Sequence, residues 1–80
     1  MKGILQFSPL WDRWYFMNES VEYDLHCGEV LEIRVGDRYY DARIEMSGEG
    51  WYVILHKGTR RRVSFVLMRS RTYAARWIFA

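Results

Sequence analysis

The alternation of apolar and polar side chains near the middle of the chain constrains its fold more than any other feature. Residues 31–35 alternate between apolar and charged side chains, which is the period of a half-buried strand. The same period resumes over residues 40–46, beyond Gly36-Asp37. Because a Gly-X pair suits a two-residue type II′ turn, the pattern predicts a β-hairpin.

The register of this hairpin follows from the turn length. A two-residue turn predicts the cross-strand pairs Val35–Arg38, Ile33–Tyr40 and Leu31–Ala42. The apolar positions of both strands then share one face, as a buried face requires. On the other face Glu32 lies opposite Asp41. Arg43 is diagonal to Glu32 and Arg34 to Asp41, which predicts a charge lattice on a solvated face.

A third strand is predicted over residues 51–56, after the turn sequence Ser47-Gly48-Glu49-Gly50. The predicted inner-face pairs are Met46–Trp51, Ile44–Val53 and Ala42–Leu55. The outer face receives Tyr52, Ile54 and His56. Because a strand that is apolar on both sides is usually covered on both, Tyr52 and Ile54 either meet the chain's own ends or form an apolar interface.

The N-terminal segment predicts a first hairpin. Ile4–Phe7 and Trp11–Met17 are rich in strand-forming residues and flank Ser8-Pro9-Leu10. A polar loop is predicted over Asn18–Glu22.

The C-terminal segment is harder to interpret. Lys57-Gly58-Thr59 predicts a turn, and Val63–Arg69 predicts a final strand. Thr72–Ala80 fits two structures, because its alanines favour a short helix and its aromatic residues favour a strand.

Length and composition then set the fold class. Eighty residues suffice for one domain, and a chain that is 50% hydrophobic and 18% aromatic can supply its core. We therefore predict a single β domain over residues 1–80, with a core meander at 29–56 and a basic, aromatic segment at 57–80. Its form is a half-open, SH3-like small barrel or an antiparallel meander of five to six strands, with a short C-terminal helix as an option.

The expected compartment is the cytoplasm. Cys27 is the only cysteine, so no internal disulfide can form. The first residues lack the apolar run and cleavage site of a signal peptide, and no stretch is long enough to span a membrane.

Charge is distributed unevenly along the chain. Residues 1–56 carry ten acids and five bases, a net charge of −5, whereas residues 57–80 carry seven bases and no acid, a net charge of +7. Such asymmetry marks a basic surface or else is mixed into neutral surface by folding. The candidate binding residues of this segment are Arg60, Arg61, Arg62, Arg69, Arg71, Tyr73, Arg76 and Trp77.

No catalytic or metal-binding pattern is present. Asp24, His26 and Cys27, with His56 elsewhere, lack the paired spacings of a zinc site. Adjacent side chains on an extended chain also point to opposite faces. We therefore expect no enzyme activity, no metal and no cofactor, and we expect Cys27 to be a small buried thiol at a tight turn before Gly28. An enzyme that uses His26, Cys27 or His56 is the least favoured hypothesis.

Several fragments of the chain resemble a known family. They are Lys2-Gly3-Ile4-Leu5, Asp12-Arg13-Trp14-Tyr15, Leu25-His26-Cys27-Gly28-Glu29-Val30-Leu31-Glu32, Arg43-Ile44-Glu45 and Trp51-Tyr52-Val53. Together they resemble a family of short bacterial proteins known as a domain of unknown function, often found near mobile genetic elements. The resemblance covers roughly residues 2–56, fades from Arg60 onward, and implies a compact β-barrel-like domain with no assigned activity.

These observations favour a non-enzymatic binding module. The favoured hypothesis is an accessory or inhibitory protein of a mobile element that binds a protein partner, such as a host nuclease or defence complex. The alternative is nucleic-acid binding, in which Arg60–Arg62 contact phosphates and the aromatic residues stack on bases. A second copy of the chain is a further candidate partner, and no membrane partner is expected.

Overall fold

The structure, a computed structural model, describes residues 1–55 and 63–77. These residues form one antiparallel sheet and include no helix. Its strands are β1 (Lys2–Ser8), β2 (Arg13–Met17), β3 (Glu22–Asp24), β4 (Val30–Val35), β5 (Arg38–Ser47), β6 (Gly50–Leu55), β7 (Val63–Val66) and β8 (Tyr73–Arg76). The spatial order is β3-β2-β1-β8-β4-β5-β6-β7, and β3 and β7 do not pair within the described part, so the sheet is open.

The predicted meander is confirmed in β4, β5 and β6. All three pairs predicted between β4 and β5 are present, as are all three between β5 and β6. Gly36 has φ of 64° and Asp37 does not have a positive φ, which fits the type II′ turn. The predicted inner face is exposed only at two hairpin ends, at Val35 beside the β4–β5 turn and at Met46 near the β5–β6 turn.

The first hairpin is also confirmed, with a later second strand and an additional third one. Ser8 pairs with Arg13, so residues 9–12 form the turn and Trp11 lies outside the strand. After β2, the Asn18 side-chain oxygen accepts hydrogen bonds from the backbone N–H groups of Ser20 (2.8 Å) and Val21 (3.0 Å). This Asx-type turn reverses the chain, so that β3 pairs with β2.

The C-terminal segment departs most from the prediction. It forms strand β8 rather than a helix, and β8 lies between β1 and β4. The strand predicted at Val63–Arg69 is β7, which ends at Val66 and is not the last strand. The described residues therefore form eight strands instead of five or six, and an SH3-like barrel is not confirmed. The predicted turn at 57–59 lies outside the described residues.

One hydrophobic core joins the two hairpins through β8. Ala75 is fully buried and pairs with Gly3 on one side and Ile33 on the other. Around it lie the largest fully buried side chains of the described structure: Trp14, Phe16, Leu5, Leu25, Leu31, Ile33, Ile44 and Val53.

Candidate functional site

The predicted basic surface is only partly described, and its described members do not form one surface. Arg60, Arg61, Arg62 and His56 lie outside the described residues. Tyr73 packs its ring against Trp14 (5.9 Å between centroids), and its hydroxyl accepts a hydrogen bond from the Met68 backbone N–H (2.9 Å). It therefore supports the core instead of projecting into solvent.

Arg76 is bound to an acid of the meander. Its Nε donates to Glu32 Oε1 (2.7 Å) and its Nη2 to Glu32 Oε2 (3.1 Å), while its Cζ lies 4.5 Å from the centre of the Tyr39 ring. These hydrogen bonds raise the pKa of the Arg76 guanidinium above its usual value. Glu32 is only 7% exposed, so its predicted place on a solvated face is wrong.

The rest of the predicted charge lattice has the predicted register, with Glu32 opposite Asp41 and with Arg43 and Arg34 at the diagonal positions. Arg43 lies 4.0 Å from Glu45, and the Nε of Arg34 donates to the Gly36 carbonyl (2.9 Å). Glu32 is buried rather than solvated because β8 lies beside β4 and brings Arg76 to it. The pattern of neighbouring strands could not indicate this contact.

Trp77 and Arg69 also make side-chain contacts within the chain, whereas Arg71 is exposed and donates only its backbone N–H, to the Met68 carbonyl (2.9 Å). Trp77 stacks on Tyr23 at 5.0 Å between ring centroids. The Nη2 of Arg69 lies 3.7 Å from Asp12 Oδ1, and its Cζ lies 4.9 Å from the centre of the Phe7 ring. Folding thus mixes acids of the first half with arginines of the last.

The predicted apolar interface at Tyr52 and Ile54 is corrected in part. Ile54 is 8% exposed, so the chain itself covers it and it is not available to a partner. Tyr52 is half-buried and lines a shallow cavity of about 290 Å³ with Ser47, Glu49, Gly50, Ser64, Phe65 and Val66.

Cys27 is exposed, so the prediction of a buried thiol is wrong. The Gly28 backbone N–H donates to the Ile44 carbonyl (2.8 Å), and the Glu29 carboxylate accepts a hydrogen bond from the His26 N–H (2.6 Å). These bonds fix the turn to the sheet on either side of Cys27. Residues 1–55 and 63–77 contain no group of three or more His, Cys, Asp or Glu side chains placed to hold a metal ion.

The β1–β2 turn presents two large apolar side chains to solvent. Leu10 is 81% exposed and Trp11 is 70% exposed. The next residue, Asp12, has φ of 51°, a left-handed conformation that is uncommon outside glycine. The turn therefore places a left-handed residue beside an exposed indole, and residues in sparsely populated backbone conformations cluster at functional sites.

Trp11 forms one wall of a cleft of about 400 Å³, which we name the Trp11 cleft. The residues that line it are Trp11, Asp12, Arg13, His26, Cys27, Met46 and Trp51. Met46 is 54% exposed, whereas Trp51 is 7% exposed and its indole Nε1 has no hydrogen-bond partner in the described structure. The cleft thus offers apolar contact surface from three large side chains.

Trp11 also lines a second cavity of about 400 Å³, which we name the acidic groove. Its other residues are Ser8, Tyr15, Glu22 and Asp24. Tyr15 pairs with Asp24 across β2 and β3, so their side chains share the face of the sheet opposite the core residues Trp14 and Phe16. One exposed indole therefore borders both an apolar and an acidic surface.

The local patterns of the sequence do not indicate this site. Trp11 was assigned to a strand, although two large apolar residues directly after Pro9 in a turn are unusual and could have indicated an exposed surface. Met46 and Trp51 were predicted as an inner-face pair, and they are paired, but the pair lies at the end of the sheet beside the β1–β2 turn. Only the tertiary structure brings the three together.

Fold and site together describe a small, open, antiparallel β domain with an aromatic surface cleft. A family model described as Domain of unknown function (DUF5348) matches residues 3–77, and the chain belongs to this family. The match extends through β7 and β8, so the expectation that the resemblance fades from Arg60 is wrong.

A crystal structure of a protein from Ruminococcus gnavus, determined by the Northeast Structural Genomics Consortium, is similar to this fold. Its TM-score is 0.66 at 26% sequence identity, over 95% of this chain and 99% of that chain. No curated protein matches the sequence. Within the described ranges no helix is long and apolar enough to cross a membrane.

Proposed function

We propose that the protein is a non-enzymatic interaction module that binds a protein partner at the Trp11 cleft. The observation that supports this proposal is the exposure of Leu10 and Trp11 beside the apolar surface of Met46 and Trp51. Tryptophan is among the residues that dominate binding energy at protein interfaces. A marginally stable small domain gains nothing from presenting such side chains to water, which supports an interface role.

The turn that carries Trp11 is closed by the pairing of Ser8 with Arg13 at the ends of β1 and β2. Arg69 lies beside Asp12 and over the Phe7 ring, at the end of β1. The following strand, β2, is anchored by the buried Trp14. A preorganised turn loses less conformational entropy on binding, which favours affinity.

The partner class in this proposal is the one favoured by the sequence, a host nuclease or defence complex bound by an accessory or inhibitory protein. Nucleic-acid binding receives less support. Trp11, the indole best placed for base stacking, is next to Asp12 and borders Glu22 and Asp24. These acids would repel a polyanion.

The test compares two truncations of exposed apolar side chains. Trp11→Ala removes the wall of the cleft, and Val35→Ala, in the β4–β5 hairpin, is the matched control. Proteins captured from a host lysate are identified and purified, and their affinities are measured by titration. We expect Trp11→Ala to weaken binding about thirtyfold or more, as an interface hot spot does, and Val35→Ala to leave it unchanged.

Two results would contradict the proposal. One is a purified partner that binds Trp11→Ala and the wild type equally well. The other is tight binding to single- or double-stranded DNA or RNA that survives Trp11→Ala but is lost when Arg60, Arg61 and Arg62 are replaced by alanine, which would establish the alternative.

A further inference from the structure

We infer that the partner segment carries a lysine or arginine next to its apolar anchor and binds across Trp11, with the anchor in the Trp11 cleft and the cation in the acidic groove. This inference rests on the proposed function and specifies the chemistry of its ligand. It follows from the position of Trp11, which lines both cavities.

The acidic groove is built on the edge of the sheet. In β3, Glu22 pairs with Met17 and Asp24 with Tyr15, which places both acids on the outer face, whereas Tyr23 pairs with the buried Phe16. The alternation of a strand thus directs Tyr23 towards Phe16 and Trp77 and leaves the two carboxylates beside Tyr15.

No base among the described residues is paired with the carboxylates of the groove. Among residues 1–55 and 63–77, Asp12 has Arg69 at 3.7 Å, but no ion pair involves Glu22 or Asp24. In the Trp11 cleft, Asp12 and Arg13 carry opposite charges, so that side is close to neutral. A ligand that spans both cavities therefore meets a neutral apolar surface and a negative one.

The aromatic walls of the groove add to the preference for a cation. Trp11 and Tyr15 both line it, and the faces of such rings attract ammonium and guanidinium groups. A lysine or arginine side chain also packs its methylene stem on an indole while its charged end reaches a carboxylate. Ring and carboxylates thus select the same ligand group, a basic side chain beside an apolar one.

The experiment uses a display library of random twelve-residue peptides, selected on the full chain and counter-selected on Trp11→Ala. We expect the Trp11-dependent peptides to be enriched in lysine or arginine near a large apolar residue. The best peptide is then synthesised with its basic residue unchanged, replaced by norleucine, or replaced by glutamate. Norleucine is expected to weaken binding about tenfold, and glutamate more, because each removes the attraction to the two carboxylates.

Charge reversal on the protein provides the matched comparison. The double variant Glu22→Lys and Asp24→Lys should reverse the order and favour the glutamate peptide. Glu49→Lys, a single reversal at the exposed β5–β6 turn, should leave both affinity and stability nearly unchanged. Circular dichroism confirms that each variant is folded.

The outcomes separate the inference from the proposed function. Trp11-dependent peptides without basic residues, or an equal affinity for the lysine and norleucine peptides, would overturn the inference and leave the Trp11 docking site in place. Peptides that bind Trp11→Ala as well as the wild type would overturn both. An effect of Glu49→Lys equal to that of the double variant would show general charge attraction and overturn the assignment to the groove.

Discussion

The two halves of the sheet, β1–β3 and β4–β7, differ in what fills their cores and in what they present to solvent. The first half has an aromatic core of Trp14 and Phe16, and its turn exposes Leu10 and Trp11. The fully buried side chains of the second half, such as Ile33, are aliphatic, and its β4–β5 and β5–β6 hairpins have regular two-residue turns. The comparison teaches that the irregular half supplies the exposed indole of the candidate site, whereas the regular half supplies Met46 and Trp51 of the same cleft.

The edge strands of the two halves, β3 and β7, differ in the charge of their side chains. The edge strand β3 carries Glu22 and Asp24, and charged side chains on an edge discourage pairing with another chain. The other edge, β7, has no charged residue and exposes Val63 and Val66. The acids of β3 therefore have a structural use in addition to the binding role inferred for them.

Strand β8 makes one domain of the two halves. It pairs with β1 over residues 73–76 and with β4 through Ala75 and Arg76. Because β8 connects the two halves, we expect a substitution that disturbs packing on either side of β8 to destabilise the whole domain.

The largest effect is expected from Ile33→Asp. Ile33 is fully buried, pairs with Tyr40 and Ala75, and so lies where the meander meets β8. An unpaired charge there should unfold a domain whose stability is only about 3–5 kcal/mol. Far-UV circular dichroism and amide NMR spectra report the loss of structure, and Ile33→Val is the matched control, with a cost of about 1 kcal/mol. A folded Ile33→Asp variant would mean that the inner face is assigned wrongly.

An intermediate effect is expected from Gly3→Ala, on the other side of β8. A Cβ at Gly3 would lie against the Met17 carbonyl oxygen and 2.7 Å from the Phe16 ring. Overpacking at this point should cost about 1–3 kcal/mol in denaturant unfolding. Gly48→Ala is the control, because a Cβ there meets nothing within 4 Å. Equal midpoints for the two variants would show that β1 and β2 do not approach closely at Gly3.

The smallest of the three effects is expected from Arg76→Ala, which removes two donors from the nearly buried Glu32. Its denaturant midpoint should fall below that of Arg69→Ala, whose partner Asp12 is exposed and whose loss is expected to be near zero. Because the pKa of Arg76 is raised, the guanidinium stays charged near neutrality, and its share of the stability is lost only when it deprotonates in strong alkali. If the difference between the denaturant midpoints of Arg76→Ala and Arg69→Ala changed with pH near neutrality, this explanation would be wrong.

The strand pairs of the meander could be predicted from the sequence, whereas the position of β8 could not, and the reason is physical. The meander was predicted pair by pair because a two-residue turn and strict alternation fix a local register. The position of β8 was not predictable in this way, since its pairing with β4 joins residues more than forty positions apart. The errors at Glu32 and in the C-terminal segment both follow from that one missing contact.

The candidate site could not be predicted from the sequence either, because it also depends on contacts between residues far apart in the chain. Trp11, Met46 and Trp51 belong to two hairpins that local patterns treat separately, and each residue taken alone fits a strand or a core. Cys27 was expected to be buried because thiols usually are, but the turn bonds on either side leave it exposed.

The sequence by itself determined that this protein is an antiparallel β domain with a meander of fixed register, because strand period and turn geometry act between neighbours along the chain. The tertiary structure decided that β8 joins the two halves and pairs Arg76 with Glu32. It also decided that one exposed tryptophan borders an apolar cleft and an acidic groove. Those features depend on contacts between distant segments, and such contacts arise only when the whole sheet has formed.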